Sequence, residues 1–205
     1  LRFGQYLACL HRERFDFPLI GITGSNGKTI CKEWIYELLK NEFKVIRSPK
    51  SYNSQIGVVL SLLELDESYD LAIIEAGISK PGEMKYLQKM IQPTFGLFTN
   101  NLEAHARNFT SIEEKNIEKH VLFKELGRFV ENKKYAIQNH DGIWYDKEVT
   151  IVKRKSSTNI TLEGKSFTLS FTENFLIENA INVYLVAREF VKDKDQLLKN
   201  MEGLR

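Results

Sequence analysis

Six consecutive residues, Gly24-Ser25-Asn26-Gly27-Lys28-Thr29, have the types and spacing of a phosphate-binding loop. They follow a β-branched apolar run, Leu19–Thr23, and lead into a stretch of helical periodicity. Glycines let the backbone fold tightly, so that several N–H groups point at one anion, and a helix starting there adds the positive end of its dipole. Lys28 is placed to meet terminal phosphates and Thr29 to offer a hydroxyl to Mg²⁺. The general nucleotide-loop spacing would put its first glycine at position 22, whereas this chain has Gly21 and then Ile22.

Three further residues stand where strands of an open sheet would end, which is where ligands of such sheets bind. Glu75 closes the run Leu71-Ala72-Ile73-Ile74. A carboxylate after four apolar residues is costly unless it serves a cation or a partner, so it reads equally as a Mg²⁺ ligand or a salt-bridged core residue. His105 follows a strand through the segment 100–104, and its imidazole reads as a metal or phosphate contact or as a solvated loop side chain. Lys119 lies in a helical stretch, and the residues three and four positions away are Lys115, Asn116, Leu122 and Phe123. No acid is in reach for an i,i+4 pair. The helical period instead aligns Lys119 with Ile112, Leu122, Phe123 and Leu126 on one apolar face, predicted to turn toward the sheet.

The elements that must position these residues are legible as an alternation of short apolar runs and amphipathic stretches from Phe17 to about Gln138. Strands are predicted at Pro18–Thr23, Lys44–Arg47, Asp70–Ala76, Thr94–Thr99 and Lys134–Gln138. Helices are predicted at Lys28–Lys40, Ile56–Leu65, Glu83–Ile91 and Ile112–Gly127. The pattern predicts an α/β fold: a P-loop-type, mostly parallel sheet flanked by helices. Period-two alternation then takes over in Glu148–Lys153 and Asn159–Phe171, with Gly164 as a turn, which predicts a small antiparallel β flap. A last amphipathic helix is expected at Leu176–Val191.

Composition narrows the function classes. Lys and Arg total 29 against 27 Asp and Glu, spread along the chain with no basic stripe, so neither nucleic acid nor an anionic membrane is expected as a partner. Two cysteines, Cys9 and Cys31, are too few for a disulfide framework and fit a reducing compartment. No apolar run reaches membrane-spanning length and Leu1–Leu10 has no export signal, so a cytoplasmic protein is expected.

Taken in order, the motifs resemble the Mur ligases and their folylpolyglutamate-synthetase relatives. Gly21–Thr29 is similar to the family's nucleotide loop, and Ser48–Gly57 to the Asn-rich segment before the second helix. Ile74-Glu-Ala-Gly77 and Pro81-Gly-Glu83 resemble its Glu-Met-Gly and Pro-Gly-Glu segments. Thr99-Asn100 with Glu103-Ala-His105, Glu118-Lys119-x-x-Leu-Phe123 and Glu178-Asn179-Ala-Ile-Asn182 resemble the Ala-His, lysine and adenine segments. Ile30, Leu102, Asn108 and Glu178 depart from the pattern, which leaves a nucleotide-binding module with weakened chemistry as one alternative. The other is a Mur-type or folate-type ligase with a different acceptor.

The resemblance implies an ATP-dependent amide-bond ligase with two Mg²⁺ ions, acting through an acyl phosphate. Lys28, Thr29, Glu75 and His105 would serve phosphate and metal, and Gly24 to Thr29 with Asn179 and Asn182 would bind ATP. Asn53 and Ser54 would face the substrate, and Lys119 matches a lysine that is carbamylated to hold a second Mg²⁺. The Pro-Gly-Glu and Asn-Ser-Gln-Ile-Gly segments look most like members that add D-alanyl-D-alanine to UDP-N-acetylmuramoyl-tripeptide. Arg47–Gly57 is similar to a subgroup fused to alanine racemase. On this reading residues 1–16 are a linker helix from an N-terminal domain, 17–195 the central ATP-binding domain, and 196–205 the lead into a C-terminal domain.

Overall fold

A computed structural model describes residues 2–101, 108–137, 143–145 and 149–205. Helix α1, Arg2–Arg12, is followed by strand β1, Leu19–Thr23, and helix α2, Lys28–Leu39. Then come β2 (Val45–Arg47), α3 (Gln55–Leu63), β3 (Leu71–Glu75), α4 (Met84–Ile91) and β4 (Phe95–Phe98). Helix α5, Ile112–His120, runs into a 3-10 turn at Val121–Phe123 before β5 (Phe129–Asn132) and β6 (Ile143–Tyr145). The chain ends with β7 (Val149–Lys153), β8 (Thr158–Leu162), β9 (Lys165–Leu169), α6 (Asn174–Ala187) and α7 (Lys194–Met201).

Strands β1 to β6 form one parallel sheet in the order β2-β3-β1-β4-β5-β6. Every residue of β1, β3 and β4 is buried, as the unbroken apolar runs Leu-Ile-Gly-Ile-Thr and Leu-Ala-Ile-Ile-Glu predict for a sheet covered on both faces. Side chains alternate across it. Ile20, Ile22, Leu71, Ile73 and Leu97 pack with α2, α6 and the flap, whereas Leu19, Ala72, Ile74 and Phe98 pack with α1, α3 and α4. Strand β1 sits between β3 and β4, so the loop after β1 is flanked by the ends of both. That is the switch point at which the fold binds ligands.

Strands β7, β8 and β9 make the antiparallel flap. The turn at Glu163-Gly164, both with positive φ, joins β8 to β9 with Leu162 opposite Lys165, the geometry that suits a two-residue hairpin. Both ends of the chain pack on the body. The Arg12 guanidinium, 5 % exposed, donates to the carbonyls of Phe15, Ile91 and Gln92, which fixes α1 at the C-terminus of α4. Leu197, Met201 and Leu204 are buried, and the Trp34 indole N–H donates to the Arg205 carbonyl at 3.0 Å, so the segment expected as a lead is packed against α2.

The sequence places the fifth strand too late. The ladder residues are Phe129–Asn132, while Lys133–Tyr135 form a 3-10 turn and Gln138 lies outside the described residues. The reason is Glu131, which breaks the apolar pattern of β5 although it is fully buried; His120 lies 3.0 Å from its carboxylate. The helix predicted over 112–127 ends at His120.

Candidate active site at the carboxyl edge of the sheet

The loop after β1 is braced by the end of β4. The Thr99 hydroxyl donates to the Asn26 carbonyl at 2.6 Å, and the Asn100 side chain bonds both the N–H and the carbonyl of Asn26. The Ser25 N–H donates to the Asn100 carbonyl at 2.8 Å. Close approach is possible because Gly24, at φ 141°, has no Cβ; one placed there would stand 2.0 Å from the Thr99 hydroxyl oxygen. Gly27, at φ 84°, caps α2, and a Cβ there would meet the Asn179 amide at 2.6 Å. The first N–H groups of α2, on Lys28 and Thr29, have no carbonyl of their own helix to bond, and with the helix dipole they form an anion site.

Lys28 donates to the carbonyls of Gly24 and Ser25, at 2.9 and 3.1 Å, which holds its ammonium over the loop. Burial lowers its pKa, Glu75 opposing and Lys115 adding to the shift. The Thr29 hydroxyl donates to Glu75 Oε2 at 3.1 Å, and the Asn53 amide nitrogen lies 3.5 Å from the same oxygen. Of the two readings of Glu75, the structure shows the salt-bridged core residue: fully buried, it lies 3.0 Å through Oε1 from Lys32. That contact is an ion pair without hydrogen-bond alignment, because Lys32 directs N–H groups at the Ser48 and Lys50 carbonyls. A hydroxyl beside a carboxylate oxygen is the hard oxygen set that Mg²⁺ prefers, so Thr29 and Glu75 fit the ion that the resemblance implies. Among the described residues no three His, Cys, Asp or Glu converge, so phosphate oxygens or water would complete the shell. His105 lies outside the described residues.

Lys119 is 3 % exposed and donates to the Ser25 hydroxyl at 2.8 Å, so α5 turns it onto the phosphate loop. Its pKa is pushed down to about 6, first by burial and then by the like charges of Lys115 and Lys28. Leu122 and Phe123 are buried on the same side, but Ile112, expected with them, is 40 % exposed because it opens the helix beside its Ser111 cap. The helix is fixed from below: the Asn116 amide donates to the Tyr135 carbonyl at 2.7 Å, and His120 meets Glu131.

Asn53 is at the site, and the exposed Ser54 caps α3, its hydroxyl accepting from the Gly57 N–H at 3.2 Å. Asn179 borders the loop at Gly27, and its buried Oδ1 has no partner among the described residues. Asn182 is fully buried behind the loop with its amide 3.5 Å from the Thr99 carbonyl, which braces β4 rather than facing open space. Glu178 pairs with Lys134 at 2.8 Å, Ile30 packs on the core, and Asn108 donates to the Ser79 carbonyl at 3.0 Å.

Fold and site together define a nucleotide-binding α/β domain of the phosphate-loop type. The Mur ligase middle-domain model matches residues 22–194, and the chain belongs to the Mur ligase family. A relative from Rickettsia prowazekii, a UDP-N-acetylmuramoyl-tripeptide–D-alanyl-D-alanine ligase, is 33 % identical over 162 residues, which are 79 % of this chain and 35 % of the relative. Crystal structure I of MurF from Acinetobacter baumannii superposes with a TM-score of 0.86 over 98 % of this chain and 49 % of that one, at 22 % identity. MurF from Thermotoga maritima in complex with ADP gives 0.83 over 100 % and 52 %, also at 22 % identity. The chain spans about a third of that relative and half of those structures.

Proposed function

We propose that this chain is the ATP-binding part of a cytoplasmic ligase that adds D-alanyl-D-alanine to UDP-N-acetylmuramoyl-tripeptide. The observation that carries the reading is Lys119, a buried amine held on the phosphate loop of a domain whose relative carries that ligase name. ATP binds with its β- and γ-phosphates over Gly24–Thr29, and Lys28 leaves its loop carbonyls for them. The γ-phosphoryl passes to the terminal carboxylate of the tripeptide, leaving ADP. The amine of the dipeptide then attacks the acyl phosphate, and the tetrahedral intermediate expels phosphate to leave the amide. Mg²⁺, when bound, neutralises charge on the transferring phosphoryl oxygens. Thr29 and Glu75 would hold it, together with His105; Asn179 forms the adenine side, with Asn182 bracing the strand end behind it, and Asn53 faces the tripeptide.

Burial beside Lys28 and Lys115 keeps the Lys119 amine neutral near pH 7, the state in which it adds CO₂ and releases a proton to become a carbamate. The product is an oxygen-donor anion suited to a second Mg²⁺. The wording of Arg47–Gly57 supports an alanine racemase joined to the same polypeptide. The test of the ligase reading is Lys119→Ala in the full-length protein. Ligation falls below about 1 % of wild type, ADP binding is kept within about threefold, and added short carboxylates restore part of the rate. Full activity in the variant overturns the reading.

A further inference from the structure

Lys32 is one helical turn beyond Lys28 and Thr29 and is among the largest fully buried side chains of the protein. Its ammonium has three N–H groups. They are directed at the carbonyls of Ser48, at 2.8 Å, and Lys50, and the charge lies 3.0 Å from Glu75 and 3.2 Å from Glu33. Glu33 is itself held by Arg47 at 2.8 Å, and that guanidinium stacks 3.5 Å over the Tyr36 ring. The carbonyls belong to the strap that runs from β2 to α3, in which Lys50 has a positive φ of 49°. At the far end of the strap the Asn53 carbonyl accepts from the Gly77 N–H at 2.8 Å, and the Asn53 amide reaches Glu75.

We infer that Lys32 is a positioning residue that couples the nucleotide and cation side of the site to the substrate strap. Its contact with Oε1 of Glu75 sets the carboxylate so that Oε2 faces Thr29 and Asn53. The same ammonium pins the strap by two carbonyls at Ser48 and Lys50. A change at Thr29 or Glu75 therefore reaches Tyr52 and Asn53 through one contact set. The inference rests on the proposed nucleotide and cation reading, and its test separates the two.

Two roles of Lys32 have opposite signs. If it only balanced charge, Lys32→Met would leave Glu75 more negative and strengthen the pull on Mg²⁺. If it positions the carboxylate, the variant weakens the cation's contribution. The probe is ADP titrated into the full-length protein, once with Mg²⁺ and once with EDTA. In Lys32→Met the ratio of the two affinities is expected to fall at least fivefold, with the Mg²⁺-free affinity changed less than twofold. An unchanged or larger ratio overturns the inference. A wild-type measurement covers a variant that fails to fold: amide exchange in peptides spanning Ser48–Asn53 slows at least threefold on binding Mg²⁺ and ADP. Exchange there that ignores Mg²⁺ and ADP overturns the coupling even though ADP binds. Absence of any ADP binding by wild type overturns the nucleotide reading and the inference with it.

Discussion

Replacing Lys119 by methionine should make the protein more stable as it disables the site. The side chain is 3 % exposed, its one hydrogen bond among the described residues is to the Ser25 hydroxyl, and Lys28 and Lys115 oppose its charge. A displacement of the amine pKa from 10.5 to about 6 corresponds to about 6 kcal/mol, at about 1.4 kcal/mol per pH unit. At pH 7 the folded lysine is neutral while the unfolded one is charged, so about 5 kcal/mol of that cost is present. Water entry and side-chain relaxation recover part of it, which leaves an expected gain of about 2 kcal/mol or more for Lys119→Met. The sign with pH follows from the lowered pKa. Between about 6 and 10.5 the unfolded chain holds the proton that the folded chain has lost, so wild-type stability rises with pH relative to the variant. The advantage of the methionine should therefore be largest near pH 6 and shrink by up to about 1.4 kcal/mol per pH unit toward 10. Urea unfolding of both proteins at pH 6.5, 7.5 and 9 reads it directly. Equal stabilities at all three values, or an advantage that grows with pH, would refute a neutral buried amine.

Two other changes bear on the loop. Lys28→Ala removes a charge-assisted phosphate contact, so nucleotide affinity measured by calorimetry should fall about tenfold or more, at about 1.5 kcal/mol or more for such a bond. Gly24→Ala puts a Cβ 2.0 Å from the Thr99 hydroxyl oxygen at a backbone angle side chains rarely adopt; it should cost about 1 to 3 kcal/mol in urea unfolding and weaken ADP binding.

What was legible in the sequence was whatever depends on neighbours along the chain. The phosphate loop declares itself because a tight turn, an anion site and a helix start all have to come from consecutive residues, and Gly24 and Gly27 sit where the structure needs positive φ. The parallel sheet was legible because a strand buried on both faces has to be apolar throughout. The losses came from partners distant in sequence. Glu131 hid β5 until His120, eleven positions earlier, was seen beside it. β6 is three residues long and too short for a period. Ser54 stands just before an apolar run, the signal of an N-cap, and it caps α3 in the structure. Helix α7 carries Asp193 as a cap, a signal present in the sequence and not used.

Lys32 and Lys119 show what a helical pattern withholds. Both lie in amphipathic stretches, both are nearly inaccessible, and nothing local separates them. Lys32 meets two carboxylates and two carbonyls, drawn from positions 33, 48, 50 and 75. Lys119 meets one hydroxyl, and its electrostatic neighbours are two more amines. Acceptors and negative charge favour an ammonium that stays and holds structure, while burial among like charges favours an amine that gives up its proton. For Lys119 the sequence excludes acids three and four positions away but cannot supply Ser25, which is ninety-four positions away. The same exclusion holds for Lys32, whose neighbours three and four positions away are Lys28, Thr29, Ile35 and Tyr36, and Glu75 is reached only through the sheet. The division of labour between the two lysines is therefore a property of the β1-β3-β4 edge, where one strand order brings a carboxylate to the first and the phosphate loop to the second.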